Sequence, residues 1–420
     1  MTDIFIDPRT YVPQDQLYVW NIVNPAVPTL VGEVSLSQLV ADCATFTYAT
    51  EWWNFPLSED MPLVQGQMFS ATERGSAPGA LDDARPDRWG ERIIRHIDRP
   101  MRLSILEMLL FAGDDRFGAL GISTSAKQYI PRQLGPYLQL QDLGKLTVAI
   151  EDLQMQAPLS AEMQRLLQPG ASLGGARPKA LLQTDTGPCI IKFSELDDPV
   201  DTPLIEHATM TLAAKAGLYV ASTGVLSITP RYGKARHALT VERFDRIADY
   251  RVHCLSAKTA LRAAGLQESY SALATILLRL GHPDRQVAMR EELFKRMVFN
   301  ILMDNTDDHE RNHSINRNPL DGYYDLTPAY DVVPSLQNLG RQAMIVGTMG
   351  AESSLENALS EINEFGIKKP RAIELMQQVA VAVEPWADHF RQWGVCPADM
   401  QQLAASIDRE ALRLQRREYL

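Results

Sequence analysis

Cysteine is scarce: Cys43, Cys189, Cys254 and Cys396 are the only four in 420 residues, and they lie far apart. No CxxC pair occurs, so the chain lacks the paired-thiol spacing of zinc ribbons and dithiol redox proteins; reduced thiols in a cytoplasmic protein are expected. No window reaches the ~18 uninterrupted apolar residues that a membrane span needs, so no membrane partner is expected. The opening MTDIFIDPRTYVPQDQ is acidic and broken by Pro8 and Pro13, unlike a signal peptide. An excess of basic charge is missing too. A net charge of -11 and a pI of about 5.3 argue against this chain holding nucleic acid by its overall field and leave room for a partner that does so. Internal repeats and low-complexity tracts are also absent.

What is present is a globular composition. With 45% hydrophobic residues the chain can bury a large core, and its length suggests two or three domains of ~100–200 residues each. LYVWNIV and TLVGEVSL read as strands around the turn-forming NPAVP. MRLSILEMLLFAG reads as a helix ended by Gly113, and residues 145–168 as amphipathic helix. KALLQT and CIIKF read as strands joined through Asp185-Thr186-Gly187, TPLIEHATMTLAAKAGL as a helix capped at Gly217, and HALTVERF as a strand. From about residue 255 helices dominate, interrupted by the loop and short strand of NRNPLDGYYDLTPAYDVVPS. A strand-rich middle before a helix-rich end suggests two lobes with a cleft between them.

The stretch NTDDHERNHSI, Asn305 to Ile315, admits two chemistries. His309, Glu310 and His313 spell the H-E-x-x-H of zinc proteases, while Asp307 and Asn312 have the D-x-x-x-x-N spacing of a kinase catalytic loop. A zinc site needs both histidines on one face of a regular helix. Here the helix is the preceding REELFKRMVFNILMDN, and the Asn- and Asp-rich run after it favours a loop. The only later histidine, His389, is a distant third ligand.

Phosphoryl transfer instead requires held phosphates, neutralised charge and an oriented acceptor hydroxyl. The parts appear in order. SLGGARPK, Ser172 to Lys179, is a glycine-bearing turn able to approach phosphate closely. Lys192 ends the apolar run Cys189-Ile190-Ile191, and Glu206 near the start of the next helix is a candidate partner for it. Asp307 and Asn312 follow, then Asp331 in PAYDVVPS, nineteen residues after Asn312. Each part alone is ordinary, since a strand-end lysine and an acidic residue in a first helical turn are common. The ordered set is not.

With GDDRFGALGIS, SLGGARPKALL, CIIKF, VERFDR, FNILMDNTDDHERNHSI, LTPAYDVVPS and DARPDRWGERII in this order, the chain resembles the HipA-like serine/threonine kinases, toxins of type II toxin–antitoxin modules. The resemblance implies an α+β, bilobal protein-kinase-like fold with a strand-rich N-terminal lobe and an all-helical C-terminal lobe. Its parts would be an N-terminal β-rich subdomain over 1–145, an N-lobe with phosphate loop and hinge over 146–250, and a helical C-lobe with the catalytic loop over 251–420. It implies ATP and Mg²⁺ as cofactors. Gly174, Gly175, Ala176, Arg177 and Lys179 match the phosphate-contacting loop, Lys192 the lysine on the nucleotide phosphates, and Glu242 and Phe244 the backbone hinge that reads adenine. Asp307 matches the catalytic base and Asn312 and Asp331 the metal ligands, with His309 and Arg311 inside the catalytic loop. Ser172 matches a serine that family members autophosphorylate. A phosphoserine adds about -1.5 to -2 charge where ATP phosphates should sit, so it would repel them. The implied partners are a small helix-turn-helix antitoxin (HipB-like), DNA only indirectly through it, and a protein substrate, with aminoacyl-tRNA synthetases among the family's targets.

The chain departs from many relatives at RVHCLSAKTA, where Cys254, Leu255 and Ser256 replace polar or acidic groups. Two further readings stand beside the kinase: a scaffold that binds the antitoxin and operator complex with weak or lost catalysis, and the zinc hydrolase.

Overall fold

The structure, a computed structural model, describes residues 10–132, 135, 137–167, 169, 175–185, 187–232 and 235–420. The chain forms two compact units. One comprises Met1–Ile190, Asp245–Leu255 and Arg262–Ala264, the other Ile191–Phe244, Ser256–Leu261 and Gly265–Leu420. This is a different partition from the three segments expected above: position 145 falls inside the first unit, and position 250 within a short stretch that returns to it.

The first unit opens with an antiparallel sheet of β1 (Gln16–Asn21), β2 (Thr29–Leu36), β3 (Ala44–Tyr48), β4 (Met68–Ser70) and β5 (Leu120–Ser123), ordered β4-β3-β2-β1-β5. Leu17 pairs with Val34, and both are fully buried, as are Val19 and Val31. Burial of these side chains fixes register, because a one-residue slip would turn them to the other face. Short helices α1 (Ala80–Asp83), α2 (Arg88–Ile93) and α3 (Ile105–Phe111) follow. Ser104 and Glu107 form a reciprocal capping box that starts α3. In α2, Gly90 has no room for a side chain, since a Cβ there would lie 2.1 Å from the carbonyl oxygen of Pro169. The helical run expected over 145–168 is two helices, α4 (Leu143–Gln154) and α5 (Ala161–Leu166), separated around Pro158, where the missing N–H stops the ladder. Strands β6 (Lys179–Thr184) and β7 (Gly187–Lys192) complete this stretch.

Asp98 and Arg132 pair inside the first unit at 2.7 Å, and Oδ2 of Asp98 is buried with no hydrogen bond from the described residues. Burial outweighs the attraction of Arg132 and pushes the Asp98 carboxyl up to about 6. An acid with a raised folded-state pKa stabilises the fold most below its unfolded value near 3.8, and that contribution is lost as pH rises through about 6. Asp98→Asn should remove this slope. The stability of the native protein relative to Asp98→Asn, followed by denaturant unfolding, should fall between pH 4 and pH 7 by at most ~3 kcal/mol.

In the second unit, α6 (Thr202–Lys215) begins after Asp201 with Pro203 in its first turn and ends before Gly217, whose φ of +82° suits a residue without a Cβ. It packs against β8 (Thr223–Ile228) and β9 (Arg236–Glu242), an antiparallel pair in which Thr223 faces Val241. The sequence did not predict β8; most of its residues are only half-buried, so no alternation marks it.

After Phe244 the chain re-enters the first unit through β10 (Arg246–Ile247) and β11 (Tyr250–Arg251). The GDDRFG motif explains why. Fully buried Arg116 donates to the carbonyls of Ala84, Leu109 and Gly113 at 3.0, 2.7 and 2.6 Å. Asp115 pairs with Arg246 at 2.6 Å, and buried Asp245 accepts from the Gly118 N–H at 2.9 Å. These residues form an ionic clasp around 245–251.

The chain continues through β12 (Cys254–Ser256) into α7 (Ala257–Ala263), α8 (Tyr270–Leu280) and α9 (Gln286–Leu302). Cys254 and Leu255 are buried, and the Ser256 hydroxyl accepts the Thr259 N–H at 3.2 Å, so in the departing segment Ser256 serves as a helix cap. Residues 251–420 are helix-rich but not wholly helical, because β13 (Ser314–Arg317) and β14 (Tyr324–Leu326) pair antiparallel with Ile315 opposite Leu326, both buried. The chain closes with α10 (Leu355–Ser360), α11 (Lys369–Val383), α12 (Trp386–Gln392), α13 (Pro397–Ile407) and α14 (Glu410–Glu418). Leu293, Phe294, Met297 and Ile301 of α9 are fully buried where α8 and α11 pack on it. Among the described residues no helix is long and apolar enough to cross a membrane.

Candidate active site

The loop expected to carry chemistry is built on the end of α9. Asp304, with φ +54°, turns the chain out of the helix, and the Asn305 side chain donates to Asn300 Oδ1 at 3.0 Å. The HERNH stretch is turn and bend, not helix. Asp307 is exposed, whereas Asp308, Asn312 and His313 are buried. The Asp307 carbonyl accepts the His309 N–H at 2.8 Å and the Asn312 Nδ2 at 3.3 Å, and the Asn312 N–H donates to the His309 carbonyl at 2.8 Å. A tight coil therefore fixes Asp307 and Asn312 relative to each other.

Sequence reasoning missed what holds this coil from below. Buried Asp308 accepts from His313 Nε2 at 2.9 Å and from the Tyr270 hydroxyl. A carboxylate has only acceptors, so His313 carries its proton on Nε2. Burial pushes the Asp308 carboxyl up, but His313, the Tyr270 hydrogen bond and His309 together outweigh it and hold the group below its ordinary value. The three residues lie 38 and 5 positions from one another, with no periodic signal connecting them.

The PAYDVVPS segment crosses the loop. The Tyr330 hydroxyl donates to the Arg311 carbonyl at 2.9 Å and bonds Ser314 Oγ. Further along, the Ser335 N–H donates to the Asp304 carbonyl at 3.0 Å. The ring of Phe244 stacks at a tilt on Tyr330, with centroids 5.4 Å apart. Asp331 itself is left-handed, φ +59°. A non-glycine residue held there costs roughly 1–2 kcal/mol and persists only where its surroundings enforce it, as at functional sites.

Asp331 and the second carboxylate meet at Lys192. The ammonium lies 2.6 Å from Glu206 Oε1 and 2.8 Å from Asp331 Oδ1, with the lysine side chain only 14% exposed. Burial disfavours its charge, yet Asp331 and Glu206 more than compensate and push Lys192 above its ordinary value, so it is a permanent cation. Lys192, Glu206, Phe244, the Asp307–Asn312 coil and Asp331 are thus joined by contacts within the second unit.

Asn312 Oδ1 is buried and receives no hydrogen bond from the described residues. A buried amide oxygen left without a donor is costly. This amide oxygen and the Asp331 carboxylate are each oxygen donors of the kind magnesium takes, so their chemistry fits that ion. Among the described residues no group of three or more His, Cys, Asp and Glu could hold a metal. The two histidines of HERNH do not share a helix face: His313 is bound to Asp308 and Glu310 pairs with Lys258 at 3.2 Å. The zinc-protease geometry is not formed.

The phosphate-loop positions lie in the first unit. Ser172 and Gly174 are outside the described residues. Gly175, with φ +96°, and Ala176 are exposed and Arg177 is half-buried. Lys179 departs from expectation: its ammonium is buried 2.5 Å from Asp87 Oδ2, and its carbonyl accepts Trp89 Nε1–H at 2.8 Å. The PDRWG segment and the loop lysine therefore explain each other as a buried ion pair. Glu242 is exposed at the end of β9, its N–H donating to the Ser222 carbonyl at 2.9 Å, and His309 and Arg311 are partly exposed.

A chain from the structure of the Shewanella oneidensis MR-1 toxin–antitoxin system HipA, HipB and its operator DNA superposes with a TM-score of 0.64 at 18% identity, covering 96% of this chain and 97% of that one. The fold is therefore α+β and kinase-like. Residues 171–387 match the HipA-like C-terminal domain and residues 28–123 the HipA N-terminal domain, and the chain belongs to the HipA-like family. Over 192 residues it is 27% identical to a Haemophilus influenzae (strain ATCC 51907 / DSM 11121 / KW20 / Rd) protein that bears the name of a kinase. The match takes in 40% of this chain and 53% of that protein, so the chain spans about half the length of the curated relative.

Proposed function

We propose that this chain is an ATP- and Mg²⁺-dependent protein serine/threonine kinase, the cytoplasmic toxin of a toxin–antitoxin pair. The observation that carries the reading is the Lys192 ammonium between Glu206 and Asp331, at 2.6 and 2.8 Å. A kinase needs such a lysine, oriented by a helix carboxylate, to meet nucleotide phosphates.

In this reading Lys192 balances phosphate charge and Glu206 keeps its ammonium in place. Asn312 and Asp331 would hold magnesium, which would supply positive charge against the phosphate oxygens. Asp307 accepts the proton of the acceptor hydroxyl. The tether from Tyr330 to Arg311 keeps Asp331 in register with the coil. The backbone at Glu242 and Phe244 takes the adenine, and the loop from Gly174 to Arg177 covers the phosphates. Segments 1–145, 146–250 and 251–420 then serve as N-terminal subdomain, N-lobe and catalytic C-lobe. Phosphorylation of Ser172 would place negative charge in the phosphate loop and turn the enzyme off. The partner is a small helix-turn-helix antitoxin, through which DNA is reached. The substrate is a protein hydroxyl, with an aminoacyl-tRNA synthetase the first candidate.

The test is to incubate a dephosphorylated full chain with γ-labelled ATP and Mg²⁺, alone and with cell lysate. Label should appear on the chain or on a lysate protein and vanish with EDTA. No label in either sample, together with no nucleotide binding, would end this reading.

A further inference from the structure

The C-terminal segment from α12 onward is not used by the site described above, yet it grips two parts of it. Its first grip is on α6, the helix that carries Glu206. His389 Nδ1 faces the Lys215 ammonium at 2.8 Å, so that nitrogen accepts and Nε2 carries the proton. Nε2 then donates toward the Ala208 carbonyl at 3.1 Å and the Thr211 hydroxyl at 2.9 Å. The Trp393 ring stands perpendicular to His207, the residue after Glu206, with centroids 4.2 Å apart. At the helix start, Asp399 Oδ2 accepts the Asp201 N–H at 3.0 Å. Burial, then Lys215, hold His389 below its ordinary value, in keeping with a neutral ring.

The second grip is on the catalytic coil. Arg409, just before α14, binds the buried Asp304 carboxylate at the point where α9 gives way to the coil. The segment is itself stapled: Trp386 Nε1 and Arg416 both bind Asp408 Oδ1, at 3.1 and 2.7 Å, and Arg416 also reaches Glu384 at 3.1 Å. His389, Trp393, Asp399 and Arg409 all lie past residue 387, where the match to the family's C-terminal domain ends.

We propose that residues 386–418 are a clamp that sets the position of α6 against the catalytic coil, with His389 a positioning residue for the Glu206–Lys192 pair. The proposal rests on the kinase reading. A helix held at its start by Asp399, and along one side by His389 and Trp393, cannot slide or turn. Glu206 therefore meets Lys192 without further ordering when nucleotide arrives.

The experiment is a double-mutant cycle on the full chain with Mg²⁺-ATP. His389→Phe keeps a ring but loses all three polar contacts, whereas His389→Gln keeps the donor toward Ala208. His389→Phe should lower the transfer rate at saturating ATP about tenfold, with His389→Gln within about threefold of the native chain. In a Glu206→Gln background His389→Phe should add less than about twofold, because its effect passes through Glu206. A merely structural role would instead lower the melting temperature and multiply fully in that background, which would overturn the proposal. Asp399→Ala, read in the same cycle, serves if His389→Phe fails to fold. Hydrogen exchange of the α6 amides is a readout independent of catalysis. Faster exchange in His389→Phe supports the clamp even if the native chain transfers no phosphate, and unchanged exchange with unchanged rate refutes it.

Discussion

Asp307→Asn should abolish phosphoryl transfer, by 10²-fold to 10⁴-fold, while leaving the protein folded. The side chain is exposed at the tip of the coil, and the coil's hydrogen bonds run through the Asp307 carbonyl, which the substitution retains. Substitutions at such surface positions usually shift stability by less than ~0.5 kcal/mol. Label transfer from γ-labelled ATP and a thermal unfolding curve check the two halves. The same variant separates catalysis from scaffolding. If growth inhibition disappears while the antitoxin complex still forms, toxicity is catalytic; persistent toxicity favours the scaffold.

Asp331→Asn should cost nearly as much, at least ~10²-fold in transfer rate, for a different reason. Asparagine tolerates the left-handed backbone at φ +59° and can still accept from Lys192. What it lacks is the negative charge that magnesium requires and that helps keep Lys192 cationic. Asp331→Ala should lose activity and also stability, since alanine tolerates that conformation less well than aspartate and loses the ion pair with Lys192. Measuring rate and unfolding free energy for both variants separates charge from backbone. Equal activity in Asp331→Asn and the native chain would remove Asp331 from the site.

Much of this was legible in the chain. The strand-like runs around NPAVP marked β1 and β2, Gly113 marked the end of the α3 stretch, and Gly217 the end of α6. Lys192 at a strand end and Glu206 on the following helix do meet, with Asp331 as the second carboxylate at the ammonium, and Asp307 and Asn312 fall on one tight coil. Local patterns could not show the rest. The Asp308–His313–Tyr270 network joins residues by burial, not by period. The short stretch 245–255 belongs to the first unit because Arg246 pairs with Asp115 and Asp245 accepts the Gly118 N–H, both contacts more than a hundred positions apart. Lys179 reads as a phosphate ligand from its loop, but Asp87, 92 positions earlier, takes its ammonium. Strand β8 has no alternation to read. In each case a long-range partner decides what the local sequence leaves open.

The most direct test is a calorimetric titration of the full-length Asp307→Asn chain with ATP, in Mg²⁺ and in EDTA. One nucleotide should bind per chain, at least about tenfold tighter with Mg²⁺, and combining Asn312→Ala with Asp331→Asn should erase that difference. Affinity that is the same with and without the metal, or a Mg²⁺ effect that survives loss of both oxygen ligands, would contradict the site drawn here.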